Sequence, residues 1–394
     1  MENWLLEIGK AFIRLLLNPL LYWFILITLF ASLSRIKRER KQFGRKIYPL
    51  FDEWYGQRLR SLVFGLLLSI GMMVLGVGIH PLMLAGIVCL TILFTLTKRF
   101  TWLSSAYVFG FTAIMILFLP YYQSYLPSLF QNEITQMDWV IFTTLMGILL
   151  IIESLMISSV SRDQTFPELI NSSRGKIVGQ HRYKKIAFIP LLFIWPVGSL
   201  SLMSHWWPVI EWNGLPFGLI IFPFLIGFDF PIAGGLPTKV AKRYSEYPLL
   251  LGFLIVALSL MSYYVKILTL VTVLVAIVGR EFISYRLKLK DQQQLPLFSP
   301  LPNGLKVLAI LPGTPAIELG LIPGDTIKKV NGQDVATPTE FYQALQINRA
   351  FCKLDIIDER GELRFAQRAF YQGEHHELGV IFVENHQDRM KQSV

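Results

Sequence analysis

Apolar residues in this chain come in runs, not in stripes. Nearly unbroken apolar stretches fill 15–34, 61–79, 82–97, 102–120, 139–160, 187–204 and 215–233, and a longer one fills 249–279. A helix needs about 20 apolar residues to cross a bilayer, where no water satisfies the backbone. The pattern predicts seven transmembrane helices, plus a long stretch that turns at Ser262–Lys266 into two short ones, about nine spans in all. The run from Leu15 to Ser34 is too long, and too soon followed by charges, for a cleavable signal peptide. Ahead of it, Trp4, Leu5, Ile8 and Phe12 share one face and predict an interfacial helix. Past residue 285 the pattern changes to the short alternations of a water-soluble domain.

Charge gives these runs a direction. Residues 35–60 hold nine Lys and Arg, 161–186 six, 234–248 three and 98–99 two, whereas 121–138 and 205–214 hold none. The two uncharged loops carry interfacial aromatics instead: Tyr121, Tyr122, Tyr125, Trp206, Trp207 and Trp212. Short basic loops stay in the cytoplasm, so the expected topology has the amino terminus outside and the carboxyl terminus inside. A turn at Ser262–Lys266 keeps Arg280, Arg286, Lys288 and Lys290 with the other basic groups. Of 394 residues 53% are hydrophobic and 16% charged, against about 25% charged in a soluble domain. That excludes a disordered chain, a coiled coil and a simple soluble enzyme. The net charge of +10 is then mostly a topology signal, and nucleic acid is not an expected partner. The nine-charge loop can also attract anionic lipid, but orienting the first helices is reason enough for it. Cys89 and Cys352 make no disulfide framework. The expected division is a transmembrane helical domain over 1–285, a linker over 286–300, a cytoplasmic domain over 301–384 and a tail over 385–394.

The soluble part is rich in turn and cap signals. Pro312-Gly313 ends a strand, Pro315 suits the first turn of a helix and Gly320 can close it. Gly324-Asp325 starts a strand that presents Ile327 and Val330, and Asn331-Gly332 is a hairpin turn. A second helix follows Thr337-Pro338, with Phe341, Ala344 and Leu345 on one side, and strands cover 353–357 and 363–370. The order strand, Gly-x-Pro-Ala, helix, Gly-Leu-x-x-Gly-Asp-x-Ile-x-x-Val-Asn-Gly resembles a bacterial PDZ domain, a small α/β fold. The resemblance implies a peptide bound as an added strand beside a helix, with its carboxylate near a hydrophobic-Gly-hydrophobic loop. No such loop precedes Gly304, but Leu378-Gly379-Val380-Ile381 fits it, which implies a permuted domain. The implied peptide site is Leu378, Gly379, Val380 and Ile381 facing Phe341 and Leu345. Equally, Leu378–Phe382 reads as an ordinary strand, and Phe341 and Leu345 as ordinary core.

Catalytic patterns are missing. The six histidines have no His-Glu-x-x-His spacing, and His375-His376-Glu377 reads as a surface turn. No Gly-x-Ser-x-Gly or Gly-x-x-x-x-Gly-Lys-Ser/Thr is present, so no enzyme, metal site or cofactor is expected. Glu153 and Asp229 are acids in or near spans, which are candidates for function. Both are expected near the cytoplasmic ends, where water is close, and Asp229 with Pro231 and Gly234-Gly235 fits a broken transporter helix. Lys266 is expected to snorkel at the outer interface.

Many apolar spans followed by one carboxy-terminal PDZ domain, with no protease motif, resembles the MinJ family of cell-division topological determinants. The specific motifs are confined to about 304–384. The resemblance implies a non-enzymatic adaptor, enriched at septum and poles, linking a DivIVA-like polar scaffold to a MinD-like ATPase and through it to the inhibitor MinC. Self-association into a homo-oligomer stays open. The alternatives are an accessory subunit that presents substrates to a membrane protease, and a transporter with a regulatory PDZ domain.

Overall fold

The computed structural model describes residues 2–119, 138–172, 175–200, 216–348, 350–370 and 378–383. The aromatic loops at 121–137 and 205–214, His375-His376-Glu377 and the tail 385–394 lie outside the described residues.

The amino-terminal region is largely helical. Helices α1 (Glu2–Leu17) and α2 (Pro19–Phe43) meet at Asn18, whose side chain accepts the Leu20 N–H at 3.0 Å. The first apolar run is therefore broken at residue 18, where Asn18 caps a proline-started helix. Next come the short α3 (Asp52–Tyr55), α4 (Arg58–Leu75), α5 (Pro81–Leu96), α6 (Ser105–Phe118) and α7 (Trp139–Ser158). Later, α8 (Pro237–Met261) and α9 (Ile267–Gln293) flank the expected turn. Helices α2, α4, α7, α8 and α9 are long and apolar enough to cross a membrane, and α5 and α6 are shorter apolar helices. The α9 helix carries on through most of the expected linker, since nothing between Lys288 and Gln293 breaks a helix.

Two of the expected transmembrane helices are strands. The described parts of the runs 187–204 and 215–233 fall in β2 (Ile177–Leu200) and β3 (Phe217–Ile232), an antiparallel pair flanked at its base by β1 (Phe166–Asn171). Proline recurs in these runs, and Pro190, Pro223 and Pro231 would each remove a helix hydrogen bond. In the hairpin Pro190 and Pro223 sit directly opposite one another. The Pro190 carbonyl faces away from the ladder, toward the Ser69 hydroxyl at 3.4 Å, so the pair removes no ladder bond.

A strand in an apolar layer must have its edge groups satisfied inside the protein. The Leu192 N–H donates to Ser69 Oγ at 2.9 Å, and the Ile194 N–H to the Val77 carbonyl at 3.1 Å. On the other edge Arg14 donates to the Leu219 carbonyl. Buried Glu7 accepts from Ser199 N at 3.2 Å and Oγ at 2.9 Å, so α1 closes the hairpin edge rather than only resting on a lipid surface. Around the hairpin the core is aromatic: the Phe109 ring lies 4.8 Å from Phe142, tilted, and 5.3 Å from Phe224, edge-on. Helices α7 and α8 approach closely through Gly147 and Gly252, and Ser259 bonds Thr143 at 2.6 Å and Thr144 at 2.8 Å.

The carboxy-terminal sheet follows, built from β4 (Leu305–Ile310), β5 (Thr326–Val330), β6 (Gln333–Asp334), β7 (Phe351–Ile357), β8 (Leu363–Ala369) and β9 (Val380–Phe382). Its strand order is β8-β7-β5-β4-β9, with β6 paired to β5. Helices α10 (Pro315–Glu318) and α11 (Pro338–Ile347) pack over it.

Charged groups expected in open loops are partly buried. Arg35, 2% exposed, bridges Glu53 and Glu39, each at 2.7 Å, and donates to the Tyr48 and Pro49 carbonyls. The two glutamates balance the buried guanidinium charge. Lys185 reaches Asp52 at 2.7 Å, and burial pulls its pKa down against that carboxylate. These basic groups tie α2, α3 and β2 together as well as carrying charge.

Candidate functional site

The carboxy-terminal domain owes its shape to a few special positions. Asn331 and Gly332 both have positive φ, +51° and +87°, as a two-residue hairpin turn requires. Asn331 then holds the second helix in place, donating to the Ala344 carbonyl at 3.0 Å and accepting the Lys353 N–H at 2.9 Å. Thr337 and Glu340 form a capping box at the start of α11, with Pro338 in the first turn. Buried Asp325 accepts the Ile322 N–H at 3.0 Å and pairs with Arg364 at 2.7 Å. Burial raises its pKa, and those two donors oppose the rise.

Helix α11 lies against the last strand. Phe341 meets Phe382 edge-on with ring centroids 4.9 Å apart, and both belong to the domain core. The loop ahead of β9 is fixed from the other side: the Leu378 carbonyl accepts Ala316 N–H at 3.1 Å and the Gly379 carbonyl accepts Leu311 N–H at 2.8 Å. Gly379 has φ +83°, and a side chain there would collide with Thr314, so the turn demands glycine. Strand β9 pairs with β4 on one edge. Because the bonds alternate along an antiparallel ladder, those at Gly379 and Ile381 face β4 and the main-chain groups of Val380 and Phe382 face outward. Among the described residues no strand covers that outer edge. Such an edge can accept an extended peptide as one more strand.

Of the six expected site residues, Phe341, Leu345, Leu378 and Val380 are buried in the domain core, at 0%, 0%, 0% and 7% exposure. Gly379 makes the turn, and Ile381 points to the opposite side. There it packs with Phe43, Ile47, Tyr48 and Leu311, where the domain meets the base of the hairpin. That contact was not read from the sequence. It also holds Phe298, Leu308 and Val383 in a second small cluster beside Leu169. His181 joins the two sides: Nε2 is 2.9 Å from the Leu308 carbonyl and Nδ1 is 2.9 Å from Thr165 Oγ1. A carbonyl only accepts, so the proton sits on Nε2 and Thr165 donates to Nδ1. The Gly179 N–H donates to the Phe298 carbonyl at 2.7 Å, and Lys239 pairs with Glu359 at 3.0 Å. The sequence signal was faint: Leu308, Leu311 and Phe298 read as ordinary strand and linker residues.

The two acids singled out in the spans sit in ion pairs and not in a broken helix. Glu153 is 0% exposed and held by Arg280 at 2.9 Å and Ser104 at 2.7 Å. Asp229 lies in strand β3, bound by Arg182 at 2.6 Å across the hairpin. Lys266 is exposed just ahead of α9, in the turn after α8. Among the described residues no group of three or more His, Cys, Asp or Glu is placed to hold a metal ion.

Comparison with known proteins gives the chain a family. Residues 306–353 match the model of a PDZ domain family. Over 395 aligned positions the chain is 35% identical to the cell division topological determinant MinJ of Bacillus subtilis, covering 100% of this chain and 98% of that protein. A Lacticaseibacillus paracasei protein also named as a MinJ determinant is 24% identical over 94% of this chain and 97% of its own length. A shorter likeness, 31% over 19% of the chain, is to a Synechocystis protein named as a serine protease, HhoB. The full-length match settles what kind of protein this is: the chain belongs to the MinJ family of cell-division topological determinants.

Proposed function

We propose that this chain is a non-enzymatic membrane adaptor that connects a DivIVA-like polar scaffold to a MinD-like ATPase and its inhibitor partner. In this reading the seven apolar helices and the two hairpin strands make about nine crossings, with the amino terminus outside. The carboxy-terminal domain is a permuted PDZ fold in the cytoplasm, and the protein collects at septum and poles. Partner peptides add as a strand on the outer edge of β9, with Gly379 and Val380 receiving the carboxylate and α11 forming the far wall. The observation that carries the reading is the end-to-end likeness to a division determinant, membrane region and PDZ domain together. Asp229 and Glu153 occupy ion pairs rather than a broken helix, which leaves the transporter alternative without an observation in its favour.

The test is microscopy of a fluorescently tagged full chain, together with a deletion. Septal and polar enrichment, with filaments or minicells on deletion, is the expected result. Uniform membrane signal with normal division would overturn the adaptor. A reporter fused after Val394 should be active inside the cell, and activity only outside would overturn the topology.

A further inference from the structure

A cavity of about 300 Å³ opens where the basic ends of α6, α7, α8 and α9 meet the end of β3. Its walls are aromatic, with Trp102, Tyr107, Tyr244 and Tyr285, and its charges are largely basic. Two of the charged groups are already occupied. Arg280 holds Glu153, Ser104 and Ser284 through three of its N–H groups, and Asp229 is held by Arg182. Glu281 accepts from the Tyr107 hydroxyl at 2.7 Å. Arg99 and Lys288 are different. Both line the cavity, both are exposed, and neither side chain has a partner among the described residues. With their partners included, five basic groups (Arg99, Arg182, Lys184, Arg280 and Lys288) face three acids (Glu153, Asp229 and Glu281), which leaves the cavity positive.

Two unpartnered cations over an open cavity call for an anion. The rim narrows which one. Above the cavity α9 turns Leu274, Val278 and Phe282 outward, and they are 47%, 64% and 58% exposed. Trp and Tyr side chains favour the level of the headgroups in a bilayer. Ligand cavities run from about 300 to 1,000 Å³, so this one has room for a phosphodiester headgroup. We propose that the cavity binds the phosphodiester headgroup of an anionic phospholipid, with the phosphate between Arg99 and Lys288 and the acyl chains along the exposed face of α9. The Thr101 and Tyr285 hydroxyls supply further donors at the wall. The site needs only that these helix ends lie at a bilayer surface, so it stands or falls apart from the division role.

The purified full chain in a neutral detergent tests this by its melting temperature as phosphatidylglycerol or phosphatidylcholine is titrated in. Phosphatidylglycerol should stabilise it and phosphatidylcholine should not. Each basic group near an anionic lipid surface is worth roughly fivefold in affinity, so Arg99→Gln with Lys288→Gln should weaken the apparent affinity about 25-fold. Neither change breaks an ion pair, so the unliganded melting temperature should stay put. Lys242→Gln with Lys290→Gln, exposed cations outside the cavity, should leave the affinity close to wild type. An equal loss in that control pair would mean diffuse attraction and overturn the site. Equal stabilisation by glycerol 3-phosphate or inorganic phosphate would assign the cavity to a soluble anion and overturn the lipid. An unchanged affinity in Arg99→Gln with Lys288→Gln would overturn the site.

Discussion

Glu153 and Arg280 come from helices more than a hundred residues apart and meet with the carboxylate fully buried and the guanidinium at the cavity wall, at 0% and 8% exposure. A buried ion pair often gains little over a well-packed apolar pair, yet removing one partner strands the other charge at a cost of about 3–5 kcal/mol. Glu153→Gln should therefore lower stability by roughly that amount, read as thermal unfolding in detergent. Adding Arg280→Met should restore a good part of it, since no lone cation is then left. A single variant as stable as wild type would mean that water reaches the pair. The sequence put both residues on stage without the pairing. Glu153 was read as an acid in a span and Arg280 as one more cytoplasmic charge, because a linear pattern shows how far a charge is from a loop and not what faces it. The same holds for Arg35, counted in a basic loop and found between two glutamates. By contrast, positions governed by local backbone geometry were plain in advance. Gly320, Asn331, Gly332 and Pro338 act through turns and caps that need no distant partner.

Helices and strands differ in how much of them could be read. Apolar runs bounded by caps or glycines gave α2, α4, α7 and the α8–α9 turn. The runs at 187–204 and 215–233 did not give helices, because a continuous apolar run has no period to tell a buried strand from a buried helix. Proline was the available discriminator. Pro190 and Pro223 each argue against a helix, and only the hairpin register shows why both are tolerated. That register can be tested with paired cysteines, after replacing Cys89 and Cys352. In the antiparallel pairing Ile189 lies opposite Phe224 and Ala187 opposite Ile226. Cysteines at 189 and 224 should cross-link readily under mild oxidation, whereas cysteines at 189 and 225 should not, since successive side chains point to opposite faces. Two packed helices would show no such one-residue contrast, so equal yields from the two pairs would refute the hairpin.

At the scale of the whole molecule, the carboxy-terminal domain is seated on the hairpin base and is not hung from a free linker. Gly179 permits the approach, since a side chain there would come within 2.6 Å of Leu308 and 2.9 Å of Phe298. His181 is the titrating group in the seam. Burial lowers its pKa to about 4 from an ordinary value near 6.5, because a charged ring there would lose its hydration and its Nδ1 could no longer accept from Thr165. The sign follows from which state binds the proton. Above pH 6.5 the ring is neutral whether the seam is closed or open, so seating is at full strength. Between pH 6.5 and 4 the open state takes up a proton that the closed state refuses, so seating weakens as pH falls. At about 1.4 kcal/mol per pH unit the total loss is on the order of 3 kcal/mol. Melting curves of the full chain at pH 7.5 and pH 5 should show the wild type losing stability on acidification. His181→Gln keeps an N–H for the Leu308 carbonyl and has nothing to protonate. It should be somewhat less stable than wild type at pH 7.5 and should lose less between the two values. If the two proteins fall by the same amount over that range, the acid sensitivity lies elsewhere. If His181→Gln falls less, His181 is the group through which acid loosens the seam, where Ile381 and Leu308 of neighbouring strands close over the same hairpin base.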